Sequence, residues 1–95
     1  MTIGLEWDAR KANSNLKRHG VSFEEAVSVF ADPLARIFDD EDHSIEEHRE
    51  IIIGHSTRAR SLLVAFIQRE AATRIISARR ATRNEEKDYE EGAES

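Results

Sequence analysis

Three apolar segments, residues 49–55, 60–68 and 73–80, are separated by links of only four residues each. Each is rich in β-branched and aromatic side chains and too short for an ordinary helix, so each reads as a strand. Parallel neighbours need a crossover of a dozen or more residues, and four cannot supply one, so these strands must run antiparallel. Gly54 lies near the end of the first, residues 56–59 form the first turn and residues 69–72 the second. Residues 34–38, after Asp32-Pro33, read as a strand leading into the meander, and the short stretch 3–7 adds a fifth strand at one edge.

Helices flank this sheet. Asp8 is a natural N-cap for residues 9–19, and Gly20 suits the left-handed position that ends them. The apolar face is thin, with Ala12, Leu16 and the stem of His19, so Arg10, Lys11, Lys17 and Arg18 face solvent. Ser22 and Glu25 form a capping box, with Val21 and Ala26 placed as a hydrophobic staple. Phe23, Ala26, Val27 and Phe30 then recur at helical spacing until Asp32-Pro33 stops the helix. Thr82 and Glu85 form a second capping box, opening a helix that runs to about Glu91 and returns across the sheet. The lone Trp7, just ahead of a helix, reads as a core anchor rather than a base-stacking platform. The expected class is α+β: a single antiparallel sheet of about five strands, two N-terminal helices and one C-terminal helix. Residues 1–91 are expected to form one domain and residues 92–95 a flexible tail.

Composition narrows the chemistry. With no cysteine, the chain has no disulfide, thiolate nucleophile or cysteine zinc site, as suits a reducing cytosol. It has neither a membrane-length apolar run nor a secretion-signal pattern, so a cytoplasmic, membrane-free location is expected. The net charge of -5 argues against a simple nucleic-acid coat, yet it hides a segregated pattern. Residues 58–83 carry seven basic residues against one acid, residues 39–50 seven acids against one arginine, and residues 84–95 six acids against one lysine.

The basic block centres on the strand-to-helix junction at residues 74–85. In an extended chain Ile76 and Ala78 share one face, and Ile75, Ser77 and Arg79 the other. Arg74, Arg79, Arg80 and Arg83 crowd this junction, and guanidinium forks suit phosphate oxygens. The plainer alternative is surface charge paired with nearby acids. Metal-free RNA cleavage needs a base for the 2′-hydroxyl, a cation for the crowded phosphate and an acid for the leaving 5′-oxygen. Glu47, His43 and His19 are candidate bases, and Lys17, His19 and His43 candidate acids. Arg49, Arg60 and Arg79, on three consecutive strands, are the candidate phosphate stabilisers and converge if the register allows. Asp39, Asp40, Asp42, His43, Glu46, Glu47 and His48 make a competing metal constellation. Their spacing fits neither H-E-x-x-H nor an EF-hand loop, which would need glycine where Ile45 stands, so a solvated acidic loop is expected, with no metal and no cofactor.

Glu6-Trp-Asp8, Lys17-Arg-His-Gly-Val-Ser-Phe-Glu24, Val29-Phe-Ala-Asp-Pro33, Asp42-His-Ser44, Glu47-His-Arg49, Ile53-Gly54, Arg60 and Arg74-Ile-Ile-Ser-Ala-Arg79 with Ala81-Thr82 follow one another in an order and spacing that resembles the BrnT family of toxins. The resemblance spans about residues 5–90. It implies a RelE-like fold and a bacterial type II toxin, a metal-independent endoribonuclease that arrests growth by cutting RNA. It further implies neutralisation by a BrnA-like ribbon-helix-helix antitoxin in a 2:2 heterotetramer, with operator DNA reached only through that antitoxin. The family's polar positions correspond to Lys17, His19, His43, Glu47, Arg49, Arg60 and Arg79. Of these, Glu47, Arg49, Arg79, His43 and Lys17 are expected to be catalytic. Arg60 and His19, with Arg74, Arg80 and Arg83 of the junction, are expected to bind RNA. The alternative function is an antitoxin-binding module of little or no activity that modulates transcription of its own operon.

Overall fold

A computed structural model describes residues 4–40 and 47–94. The short links act as expected: β3 (Arg49–His55), β4 (Ser61–Gln68) and β5 (Thr73–Arg80) form an antiparallel meander, with β2 (Arg36–Asp39) antiparallel to β3 at one edge. At the other edge β1, only Leu5–Glu6, lies beside β5, giving the order β1-β5-β4-β3-β2. β1 runs parallel to β5, so the sheet is mixed at that edge rather than wholly antiparallel. No hairpin link joins these two strands, because the chain crosses the sheet through α1 (Ala9–His19) and α2 (Phe23–Val29) before reaching β2.

Each face of the sheet carries its own apolar cluster. Val21, Phe23, Ala26 and Val29 pack on Ile52, Leu62, Val64, Phe66, Ile75 and Ala78 to make the larger core, under α1 and α2. Trp7 packs against it with its ring edge-on to Phe23, 6.0 Å between centroids, as an anchor. The opposite face is smaller: Tyr89 of α3 (Arg83–Glu94) covers Ile53 and Leu63. Thr82 and Glu85 form the reciprocal capping box, with Thr82 N–H donating to Glu85 Oε1 (2.8 Å) and Glu85 N–H to Thr82 Oγ1 (3.3 Å). The helix runs past the expected Glu91 to Glu94.

Three local expectations give way. The alternation along β5 breaks at a bulge: Ala65 pairs with Ser77 but Phe66 with Ile75, leaving Ile76 as the extra residue. Ile75 therefore joins Ala78 in the core, instead of lying with Ser77 and Arg79. In α1, capped by Asp8 and Gly20 as expected, Leu16 is 49% exposed, while Asn15 is the buried residue. Asn15 Nδ2 donates to Val21 O (2.9 Å) and Ala78 O (2.7 Å), and Oδ1 accepts from Ala78 N–H (3.1 Å). Among the described residues the outer edge of β5 has no strand neighbour beyond the two residues of β1, and Asn15 takes that role at Ala78. In α2, Ser22 caps Glu25 N–H (3.1 Å), but the Glu25 carboxylate turns to Arg60 and Ser56 instead of closing the box.

α2 ends at Val29, ahead of the expected Asp32-Pro33 stop, and a tighter turn carries the chain on to Asp32. Asp32 accepts from Leu34 N–H (3.0 Å), His55 N–H (2.8 Å) and the Tyr89 hydroxyl (2.9 Å), tying the end of α2 to β3 and α3. Gly54 passes so close that a Cβ there would lie 2.9 Å from Ala35 Cβ and 3.0 Å from Asp32 Oδ2. Among the described residues, no helix is long and apolar enough to cross a membrane.

Candidate functional site

Strand pairing decides which arginines meet. Side chains paired across neighbouring strands share a face, so three rows lie on the α3 side of the sheet: Arg49–Ile67–Arg74, Ile51–Ala65–Ser77 and Ile53–Leu63–Arg79. In a regular strand Arg74 and Arg79, five residues apart, would point to opposite faces; the bulge at Ile76 turns Arg79 toward Arg49 and Arg74. α3 covers only part of this face. The uncovered part is a cleft of about 270 Å³, floored by Ile51, Leu63 and Ala65 and rimmed by Asp40, Arg49, Ser77, Arg79 and Glu85.

Arg79 is gripped as a fork. Its Nη1 and Nη2 donate to the two oxygens of Glu85 at 2.8 and 2.9 Å, and Nη1 also reaches Arg80 O (3.2 Å). Those bonds from Arg79 hold the Glu85 carboxyl below its usual range against the opposing effect of burial, and Glu85 in turn raises Arg79. Such a carboxylate is a weak base at neutral pH; it positions a permanent cation at the cleft rim. A phosphate would meet the guanidinium with the same planar, two-oxygen geometry that Glu85 already uses.

The remaining expected residues fall in several places. Glu47 is exposed at a bend just ahead of β3, paired with Arg69 at 2.9 and 3.3 Å and outside the cleft lining. Arg74 pairs with Glu6 at 3.6 Å. Arg80, opposite Leu62, turns to the α1/α2 side, and Arg83 is exposed at the start of α3. Lys17 and His19 are exposed on α1, across the sheet from the cleft, so neither meets Arg49 and Arg79. His43 lies outside the described residues, as do Asp42 and Glu46.

Convergence of all three strand arginines is the expectation that the geometry overturns. Arg60 shares the side of Leu62, toward α2, where Nε donates to Glu25 Oε2 (2.9 Å), Nη2 to Gly20 O (3.1 Å), and a further charged bond joins Nη2 to Glu25 Oε1. Ser56 Oγ donates to the same carboxylate at 2.7 Å. Arg60, more than burial or Ser56, sets the Glu25 carboxyl, which lies below its usual range. Arg60 thus clamps α2 to the β3–β4 turn, while Arg49 and Arg79 share the cleft.

Sequence reasoning missed Glu85, Ser77 and Asp40 as cleft residues. Glu85 carried a signal, since a glutamate at the third helical position reaches back toward the preceding strand end, where Arg79 stands. Among the described residues, Asp39, His48 and Glu50 bring three possible ligand atoms within 4.8 Å of one another. Asp39 and Glu50 sit on the sheet face opposite Arg49, and His48 Nε2 is already 2.9 Å from Asp39 Oδ1 in an exposed pair. That trio is separate from the arginine cleft.

Comparison with known proteins supplies the context. Residues 7–85 match the family model of the ribonuclease toxin, BrnT, of type II toxin-antitoxin systems. The crystal structure of the Brucella abortus ribonuclease toxin, BrnT, superposes with a TM-score of 0.66 at 24% identity, over 86% of this chain and 100% of that one, which is a likeness of fold. No curated protein matches the chain. A family match over most of the chain, on a fold shared with a solved member, places this protein in the BrnT family of ribonuclease toxins of type II toxin-antitoxin systems.

Proposed function

We propose that the chain is a metal-independent endoribonuclease whose Arg49–Arg79 cleft holds the scissile phosphate. One observation carries the reading: arginines from two strands that are not neighbours line one cleft, and a bulge in β5 is what turns the second of them there. In the proposed reaction a base removes the 2′-hydroxyl proton and the 2′-oxygen attacks the adjacent phosphorus. The P–O5′ bond breaks, an acid protonates the leaving 5′-oxygen, and the products are a 2′,3′-cyclic phosphate and a 5′-hydroxyl. Arg49 and Arg79 stabilise the extra charge on the non-bridging oxygens, and the apolar floor lowers the local dielectric. Glu47, two residues before Arg49, is the proposed base; its exposed bond to Arg69 is open to exchange. The test is pure protein on RNA in EDTA, with the cyclic phosphate as product. Intact RNA under all conditions would overturn the mechanism, and activity only with added metal would overturn its metal independence.

Membership of a type II family implies an antitoxin partner. We further propose that this partner is a ribbon-helix-helix protein in a 2:2 complex, with operator DNA bound through it, and that the toxin acts in the cytoplasm. A second reading, a weakly active antitoxin-binding module, draws support from the way Glu85, Glu47 and Glu6 already occupy Arg79, Arg69 and Arg74, as acids of a partner would. Expression without antitoxin separates the two: growth arrest supports the toxin, and harmless expression the module.

A further inference from the structure

Ser77 borders two depressions. The same residue lines a second groove, about 240 Å³, between α1 and the outer edge of β5, with Lys11, Ser14, Arg18 and His19 on its helical wall and Ile76 beside Ser77. Ile76, the bulge residue, lines the second groove and not the cleft. α1 carries five basic or imidazole side chains and no acid, and Lys11 and Arg18 stand seven residues apart on one face, about 10 Å along the helix axis.

The two sets of cations differ in their bonding. Arg60, Arg69, Arg74 and Arg79 are each tied to a carboxylate. Among the described residues, Lys11, Arg18 and His19 are in no ion pair, and all three are exposed. Held guanidinium groups suit a reacting phosphate, whose geometry must be fixed. Exposed cations outside the ion pairs of the described residues, beside two hydroxyls, suit backbone phosphates, which need charge and no defined orientation.

We propose that the groove on α1 is a second phosphate subsite, in which Lys11 and Arg18 bind the backbone of single-stranded RNA continuing over Ser77 from the cleft. This rests on the ribonuclease reading above and adds the path of the strand to it. An acidic polypeptide would find the same charges. RNA is favoured because the groove shares Ser77 with the cleft and its cations are spaced for separate phosphates, not clustered.

The test measures binding of an RNA of about a dozen nucleotides, 2′-O-methylated so that it cannot be cut, by fluorescence anisotropy across a salt series, with cleavage of the unmodified RNA in parallel. The variant Lys11→Ala/Arg18→Ala is expected to bind about tenfold more weakly at moderate salt. Its log–log salt slope should be shallower by about 1.4, the value for two lost single-strand phosphate contacts. In cleavage the loss should fall on KM and spare kcat. Lys11→Arg/Arg18→Lys should bind like the parent, as should Arg10→Ala/Lys87→Ala, which removes the same charge elsewhere. Unchanged binding by the alanine pair, equal loss in the control pair, or an acidic peptide that competes for Lys11 and Arg18 where RNA does not, would each overturn the subsite. RNA bound through the groove yet left uncut would refute cleavage and uphold the subsite. RNA cut normally with binding indifferent to the groove would do the reverse.

Discussion

Asn15 offers the sharpest test of how the fold is held, because it is a buried amide whose partners are all backbone groups. At 7% exposure it satisfies Val21 O, Ala78 O and Ala78 N–H at once, sealing the side of β5 that the two-residue β1 leaves open. Asn15→Ala would orphan three polar groups. At roughly 1–3 kcal/mol for each buried group left unmade, discounted because an opened edge admits some water, the loss is about 3–4 kcal/mol. That is a large share of the roughly 5–15 kcal/mol typical of a domain, and corresponds to a fall in Tm of about 15–25 °C for a chain of this size. Asn15→Asp keeps the acceptor for Ala78 N–H but turns a second oxygen toward two carbonyls. Its carboxyl pKa should therefore be raised in the folded state, so the variant's deficit is smallest below the unfolded value and grows as pH rises through the folded one. Urea unfolding followed by circular dichroism at several pH values reads both effects. A cost below about 1 kcal/mol for Asn15→Ala would show that α1 does not seal β5, and would refute the reasoning.

The other expectations follow from the same contacts. Arg60→Ala should lower stability by leaving the Glu25 carboxylate without its main partner, while the folded fraction keeps its specific RNA-cleaving rate; loss of activity without loss of stability would return Arg60 to the RNA site. Acid should destabilise the protein. Glu25 and Glu85 are held low chiefly by Arg60 and Arg79, and in Asp32 burial is outweighed by the His55 and Leu34 amides with the Tyr89 hydroxyl. Depressed carboxyls contribute fully above their unfolded values of about 4, and lose that contribution as pH falls through the folded ones, so a stability that rises on acidification would contradict these contacts. Gly54→Ala should cost about 1–3 kcal/mol in urea unfolding, since its Cβ would press on Ala35 and Asp32, and a neutral effect would refute the close approach.

Much of the fold was legible because its signals are local. Asp8 and Gly20 bound α1, the four-residue links set the meander, and Thr82 with Glu85 marks the start of α3. What escaped depends on pairing across the sheet. The bulge at Ile76 carries no glycine or proline to announce it, so counting alternate residues along β5 misplaced Ile75. β4 is apolar on both faces, so nothing in its own sequence says which side Arg60 takes; Glu25 on α2 decides it. Asn15 was overlooked because its burial is driven by an open strand edge 63 residues away, and not by its own polarity or by the thin apolar stripe of α1. Arg49 and Arg79 stood out as candidate phosphate stabilisers, but whether they share one cleft was left to the register, because it depends on the same bulge.

The central claim is that Arg49 and Arg79 act together on one phosphate, and a double-mutant cycle on RNA cleavage in EDTA tests it most directly. Arg49→Ala and Arg79→Ala should each lower kcat/KM by about 10²-fold, and the double variant by clearly less than the product of the two, because each guanidinium depends on the other to hold the same group. Full activity in either single variant, or strictly multiplicative losses, would contradict the shared site.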